Sequence, residues 1–279
     1  MTTSLTINHN ELEHLKNYIL KNGLKKNSCK SEYELLRIKD RKISIIVYKS
    51  GKLVHNDSPE SNEVISAILK KETVFDCFIG SDETGKGEWY GPLVVVAAVV
   101  TPDEIIKLRK IGVRDSKTIE KDKLKEIAQV CIQMGFPIYA EVRSPERYNS
   151  FYEQLRKEDK SLNDMMAWAH SAIIKKALDY NQSKKIKIII DKFDFEKTEY
   201  RLSSVDRSNL EIIQKSKGES EIPVAVASII AKHTFEKEVD KLNHKYDVDL
   251  RKCKPEDLDP SILPYVAKVH FKNVNRCLE

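Results

Sequence analysis

The 279-residue chain has no apolar run long enough to cross a membrane. A spanning helix needs about 18–20 consecutive apolar residues. The longest run here, Leu93–Val100, has eight and is strand-sized. The opening stretch, MTTSLTINHNELEH, has neither a basic segment nor an apolar one, so no secretory signal is expected. Cysteine is scarce and widely spaced: Cys29, Cys77, Cys131, Cys253 and Cys277, an odd number with no CxxC pair. That argues against a disulfide framework and a cysteine-ligated zinc site, and it makes a reducing cytoplasm the expected compartment. Internal repeats, low-complexity tracts and a Gly/Pro-rich linker are all missing.

What is present suits a soluble domain with a real core: 41% hydrophobic and 33% charged residues. The length predicts one or two domains. The net charge of +5 is unevenly spread. Residues 1–72 hold 13 basic against 9 acidic side chains, and residues 73–279 hold 35 against 34. A basic first quarter beside a near-neutral remainder suits a polyanion partner, although it also serves simple solubility.

The pattern along the chain separates two parts. Residues 11–24 place Leu12, Leu15, Ile19 and, at the edge, Leu20 on one helical face, with Gly23 as the stop. Residues 32–39 alternate weakly. Residues 42–49 are rich in β-branched side chains, and Ser50-Gly51-Lys52 is a turn before Leu53-Val54, so a hairpin is expected. A helix is expected over 63–71. This first α+β unit ends near residue 72. The second part, 73–279, alternates strands (74–81, 93–101, 136–142, 187–190, 210–214) with helices (102–110, 120–134, 145–156, 162–180, 224–242). A short turn makes neighbouring strands antiparallel, and intervening helices make them parallel. The expected fold class is therefore α/β, with a mixed sheet flanked by helices.

Chemistry concentrates in Gly80-Ser81-Asp82-Glu83-Thr84-Gly85-Lys86-Gly87-Glu88-Trp89-Tyr90-Gly91-Pro92. Gly80, Gly85 and Lys86 match a phosphate-binding P-loop in part. Gly87 stands where that loop needs Ser or Thr, and a strand follows where it needs a helix. Asp82 and Glu83 would also repel a phosphate. A metal site fits better. Neighbours in a strand point to opposite faces, so the two carboxylates diverge at the end of an apolar strand. Such a pair alone is more often a turn or a cap. Asp191, at the mouth of the apolar strand 187–190, shifts that balance, because carboxylates from two strand ends form a hard-oxygen site for Mg2+ or Mn2+. Glu219 precedes a helix with small residues at Ala225, Ala227, Ser228 and Ala231. It serves either the helix dipole or the same carboxylate cluster.

Together, GSDETGKGEWYGP, Gly112-Val113-Arg114-Asp115-Ser116-Lys117, Arg147-Tyr148-Asn149-Ser150, Ile189-Ile190-Asp191-Lys192-Phe193 and the Ala-Ser-Ile-Ile-Ala-Lys helix resemble the type 2 ribonucleases H. The resemblance runs from about residue 74 to the C-terminus. The N-terminal part, with Tyr48-Lys49-Ser50-Gly51-Lys52-Leu53-Val54, resembles the extra domain of bacterial ribonuclease HIII, which is similar to the TATA-binding-protein fold. Val269-His270-Phe271-Lys272-Asn273 resembles that subfamily's C-terminal end.

The resemblance implies a ribonuclease H-like catalytic domain over 73–279 and a substrate-binding domain over 1–72. It implies endonucleolytic hydrolysis of the RNA strand of an RNA–DNA hybrid, leaving 5′-phosphate and 3′-hydroxyl ends through two-metal catalysis with Mg2+ or Mn2+. The implied acidic tetrad is Asp82, Glu83, Asp191 and Glu219, with Glu221 a second candidate for the fourth place. Asp82, Glu83 and Asp191 are the implied metal ligands. Gly85, Lys86 and Gly87 match the turn that meets the ribose, and Ser116, Lys117 and Asn149 are further implied substrate contacts. Lys86 stands where ribonuclease HII relatives typically have Arg, which argues against excision of single ribonucleotides. That specificity, and a non-catalytic hybrid-binding module, are the alternatives. A cytoplasmic monomer is expected. Lys232 is a further candidate phosphate contact. Trp89 and Tyr90 stack on substrate or pack the strand start. Trp168 reads as core, and His170, two residues on, either packs or approaches the site.

Overall fold

The structure, a computed structural model, describes residues 2–69, 74–113, 116, 119–179, 184–191, 193–216 and 218–279, with Glu219 described by its backbone alone. Two compact units emerge: Met1–Val74 with Thr101–Val113, and Phe75–Val100 with Arg114–Glu279. No described helix is long and apolar enough to cross a membrane.

The first unit contains β1 (Thr2–Thr6), α1 (His9–Lys21), β2 (Lys26–Asn27), β3 (Glu34–Asp40), β4 (Ile43–Tyr48), β5 (Lys52–Asn56), α2 (Pro59–Leu69) and α3 (Pro102–Lys110). Its antiparallel sheet runs β1-β5-β4-β3-β2. Helix α1 starts at a capping box in which Asn8 and Glu11 satisfy each other's main-chain N–H groups. Leu15, Ile19, Ile38, Ile45, Val47, Leu53, Val64, Ile65 and Ile68 form its core; Leu20, expected on the same face of α1, is exposed because it lies past the edge of that stripe. Helix α3, which the sequence pattern groups with the second part, packs with this unit. Arg109 pairs with Glu11 and donates to the Thr6 carbonyl at 2.8 Å, and Lys110 Nζ donates to Ser66 Oγ at 2.9 Å. Strand β1 has no counterpart in the sequence pattern. Leu5 is the one apolar residue of its five, and pairing with β5 organises it.

The second unit contains β6 (Cys77–Thr84), β7 (Leu93–Val100), α4 (Lys121–Gln133), β8 (Ile138–Arg143), α5 (Pro145–Lys157), α6 (Leu162–Asp179), β9 (Ile186–Asp191), α7 (Phe195–Leu202), β10 (Leu210–Lys215), α8 (Ile222–Tyr246), α9 (Leu263–Val266) and α10 (Lys272–Asn275). The sheet order is β10-β9-β6-β7-β8. Strands β10, β9 and β6 are parallel, and β7 is antiparallel to both β6 and β8. This is the mixed sheet the alternation predicts.

Period two assigns the faces. Ile79, Val95, Ala97, Ile188 and Ile190 pack with Met165, Ala169 and Ile173 of α6. The opposite face carries α8, whose buried Val224, Ala225, Ala227 and Ala231 are small enough for close approach. Each fully buried Val or Ile contributes roughly 1.5–3 kcal/mol. Strand β6 extends to Thr84, so Asp82 and Glu83 lie within the strand rather than beyond its end.

Candidate active site

Strands β6 and β9 run side by side in parallel, with Ser81 opposite Ile190. Asp82 and Asp191 each follow these paired residues on adjacent strands. Asp82 is 8% exposed. Burial, the charge of Glu83 and the charge of Asp191 all push its carboxyl up, to about 7. The hydroxyl of Ser228 on α8 and the main-chain N–H of Glu83 oppose that rise. Asp82 Oδ1 accepts the Glu83 N–H at 2.8 Å. Asp191 Oδ1 accepts from the Gly218 N–H at 2.8 Å, which ties β9 to the turn that carries Glu219. The Glu219 side chain and Lys117 lie outside the described residues. Glu221, the alternative fourth acid, is the N-cap position of α8, and its carboxylate pairs with Lys215.

Glu83 points to the other face. Its Oε2 lies 3.2 Å from Nε2 of His170 on α6, and its Oε1 lies 4.0 Å from Lys86 Nζ. Burial alone would raise the Glu83 carboxyl. The His170 hydrogen bond and the nearby Lys86 ammonium oppose burial, and the group falls below its usual range. His170 is fully buried, and its Nδ1 lies 2.7 Å from Ser81 Oγ. The two adjacent carboxylates therefore sit on opposite faces of β6, and hydroxyls back each one. On the α8 face, Ser116 Oγ lies 2.9 Å from Ser228 Oγ.

The Gly85–Gly91 turn is held from two sides. Gly85 and Gly91 have φ of +93° and +69°, a region that favours glycine. A Cβ on Gly85 would lie 2.2 Å from the Pro92 carbonyl oxygen, and one on Gly91 would lie 2.8 Å from Val239 of α8. From the C-terminal side, the fully buried Lys268 donates from Nζ to the carbonyls of Glu88, Tyr90 and Gly91, at 3.0, 2.9 and 2.8 Å. Burial pushes this ammonium down to about 7. A Cβ on Gly87 would meet nothing within 4 Å, so packing within the chain does not require that glycine.

Two of the expected substrate contacts, Ser116 and Asn149, have partners within the chain. Ser116 is buried at 4% exposure beneath Asp82's partner Ser228 rather than lining an open groove. The Asn149 side-chain amide is taken up by main chain. Its Nδ2 donates to Pro264 and Ala267, and its Oδ1 accepts from Val269. Ser116 thus lies behind the Asp82 partner Ser228, and Asn149 ties α5 to the segment around Lys268. Lys86 faces the site, 5.5 Å from the Phe193 ring centre. Sequence reasoning missed Lys268, because nothing in the sequence sets it apart from the other lysines of the C-terminal segment, Lys252, Lys254 and Lys272. Trp168 packs edge to face with Phe151 and lies under the Arg143 guanidinium. Trp89 and Tyr90 pack edge to face, and Tyr90 reaches Phe235.

Among the described residues no three His, Cys, Asp or Glu side chains already form a closed cation cage. The donor chemistry still fits Mg2+ or Mn2+. Asp82, Glu83 and Asp191 offer only hard carboxylate oxygens, and the Asp82 carboxyl, raised first by burial and then by the charges of Glu83 and Asp191, is one whose ionised form a cation would stabilise.

Comparison with known proteins bears on the family and the fold. The family described as Ribonuclease HII matches residues 79–274. A ribonuclease HIII of Streptococcus agalactiae serotype Ia is 30% identical over 270 residues, 89% of this chain and 90% of that protein. The ribonuclease HIII of Chlamydia caviae is 28% identical, over 88% of this chain and 87% of that protein. The crystal structure of Bst-RNase HIII in complex with Mn2+ matches with a TM-score of 0.61 at 24% identity, covering 100% of this chain and 98% of that one. Aquifex aeolicus RNase H3 matches with a TM-score of 0.56 at 21% identity, covering 96% and 100%. At these identities the structural matches speak to the fold alone.

Proposed function

The chain belongs to the ribonuclease HIII family, and from that premise we propose that it hydrolyses the RNA strand of RNA–DNA hybrids internally, leaving 5′-phosphate and 3′-hydroxyl ends. The observation that carries this reading is the meeting of Asp82 and Asp191 at the mouth of two parallel strands, with Glu83 on the opposite face. Asp82, Glu83 and Asp191 hold Mg2+ or Mn2+, and Glu219 completes the catalytic set. When bound there, a pair of divalent ions supplies an activated water and charge stabilisation at the leaving oxygen.

The rest of the chemistry belongs to the chain's own side chains and main chain. Selection of RNA over DNA requires a contact to a 2′-hydroxyl. The main chain of Gly85 and Gly87 serves that role, and the open space beside Gly87 supports it. Lys86 and Lys117 meet substrate phosphates, while Ser116 and Asn149 hold the frame behind them. Lys86 is a point charge rather than a planar fork, which favours runs of ribonucleotides over a single embedded one. In the N-terminal unit, Arg37, Ile46 and Val54 stand in register on the sheet face away from the core, and Lys39 and Lys52 are exposed there. We assign this face to duplex binding, with residues 1–72 as the affinity module. The expected setting is a cytoplasmic monomer.

The deciding experiment is cleavage of a labelled RNA–DNA hybrid, with Mg2+ or Mn2+, by the wild type and Asp191→Asn. The expected result is metal-dependent cutting of the RNA strand that the variant loses. Binding of the hybrid without cutting in either metal would replace this reading with a non-catalytic hybrid-binding module. A duplex carrying one embedded ribonucleotide tests the specificity, and preferential incision there would favour ribonuclease HII-like behaviour.

A further inference from the structure

His170 is the one imidazole that the geometry brings to a site carboxylate among the described residues. It lies in the middle of α6 with no exposed surface. Its ring stacks on Phe193, which follows β9, with centroids 5.0 Å apart and planes 26° apart. Both ring nitrogens are engaged: Nδ1 lies 2.7 Å from Ser81 Oγ, and Nε2 lies 3.2 Å from Glu83 Oε2. Ser81 and Glu83 alternate onto the same face of β6, and a single α6 side chain spans both of them.

The chemistry of these partners restricts the proton positions. A carboxylate is an acceptor only, so Nε2 must carry hydrogen to bond Glu83. The opposite tautomer would set a nitrogen lone pair against a carboxylate oxygen in a buried space. The Ser81 hydroxyl can donate to Nδ1, and it has no exposed surface of its own. In the neutral ring the chain of bonds runs from the Ser81 hydroxyl to Nδ1, and from Nε2–H to Glu83 Oε2. Phe193 fixes the ring plane. The second Glu83 oxygen, Oε1, is left on the side of Lys86.

We infer that His170 is a positioning residue: braced by Ser81 and Phe193, it holds one oxygen of Glu83 so that the other faces the reaction site. The inference rests on the metal-dependent reading of that site. Groups that orient a metal-binding side chain through its second hydrogen bond commonly account for 10–100-fold in metal affinity or activity. A buried histidine serving only as packing would contribute to stability and nothing more.

Three variants separate these roles: His170→Gln keeps a side-chain N–H donor, His170→Phe keeps a ring without one, and Ser81→Ala removes the brace. Mn2+ affinity, read from the electron paramagnetic resonance of free Mn2+ without substrate, should fall about 10-fold or more in His170→Phe and recover substantially in His170→Gln. On the hybrid, kcat should drop by a similar factor while KM stays within about twofold. Melting curves of the metal-free proteins identify any variant that does not fold. A 15N spectrum of the metal-free wild type provides the independent readout. His170, assigned by difference from the Phe variant, should carry its proton at Nε2, with shifts that move in Ser81→Ala and Glu83→Gln.

Unchanged Mn2+ affinity and kcat in a folded His170→Phe protein would overturn the inference. So would equal losses in the Phe and Gln variants that follow only their melting temperatures, or a His170 signal indifferent to Glu83→Gln. If the wild type fails to cut the hybrid, the proposed function falls, while the 15N and Mn2+ readouts still decide the role of His170.

Discussion

Gly80 on β6 and Pro223 at the start of α8 are in direct backbone contact: a Cβ on Gly80 would lie 2.0 Å from the Pro223 carbonyl carbon and 2.1 Å from its oxygen. This contact seats α8 on the sheet. Asp82, two residues along the same face, depends on that seating for its Ser228 partner.

Gly80→Ala should therefore push α8 off β6. Overpacking of this kind typically costs about 1–3 kcal/mol, and backbone in the way puts this site at the upper end. A urea denaturation midpoint checks the stability, and hybrid cleavage checks the site. A variant of wild-type stability and activity would show that α8 can shift freely.

Asp82 links stability to pH. Its carboxyl is raised in the folded protein, to about 7 from an ordinary 3.8, so the native state holds that proton more tightly than the unfolded chain. The group costs nothing below the ordinary value. Its cost grows as pH rises between the two values and is complete above about 7. Metal-free Asp82→Asn should accordingly gain melting temperature relative to wild type on going from pH 5 to pH 8. Added Mg2+ or Mn2+ should stabilise the wild type more at pH 8 than at pH 5, because binding must displace a proton at the lower pH. Equal increments at both pH values would contradict this.

Lys268→Met leaves the carbonyls of Glu88, Tyr90 and Gly91 without their shared donor. Unsatisfied buried polar groups cost about 1–3 kcal/mol each, so a loss of several kcal/mol is expected in denaturant titration. At temperatures where the variant stays folded, KM for the hybrid should rise more than kcat falls, because the loosened turn is the one assigned to the ribose. A fall confined to kcat would detach Lys268 from substrate placement.

The double variant Lys39→Ala, Lys52→Ala tests the N-terminal sheet face in the whole chain. Hybrid affinity should weaken, and its dependence on salt should become shallower by about one for each phosphate that a lysine no longer neutralises. The rate at saturating hybrid should hold. An unchanged salt slope would mean that the duplex does not touch this face.

Much of this protein is legible in order of sequence. The hairpin at Ser50–Gly51, the strands β6, β7 and β9, and the helices α3, α4, α5 and α6 follow from apolar periodicity and turn residues, because local sterics and one-sided burial act over a few neighbours. The same period of two separates Asp82 from Glu83. Strand β1 and helix α7 were not legible: β1 has one buried residue, Leu5, and α7 is eight residues of mostly polar character, so partners elsewhere in the chain set both.

Element types, the faces on which the acids lie and the family to which the motifs belong are written in the local pattern of the chain. Which polar atoms meet is a property of the folded molecule. His170 reaches Glu83 across 87 residues, Ser116 reaches Ser228 across 112, and Asn149 spends its amide on a segment more than 110 residues away. A hydrogen bond needs donor and acceptor within about 3 Å, and a one-dimensional pattern carries no distance between remote segments. That distance exists once α6 and α8 close on opposite faces of one sheet.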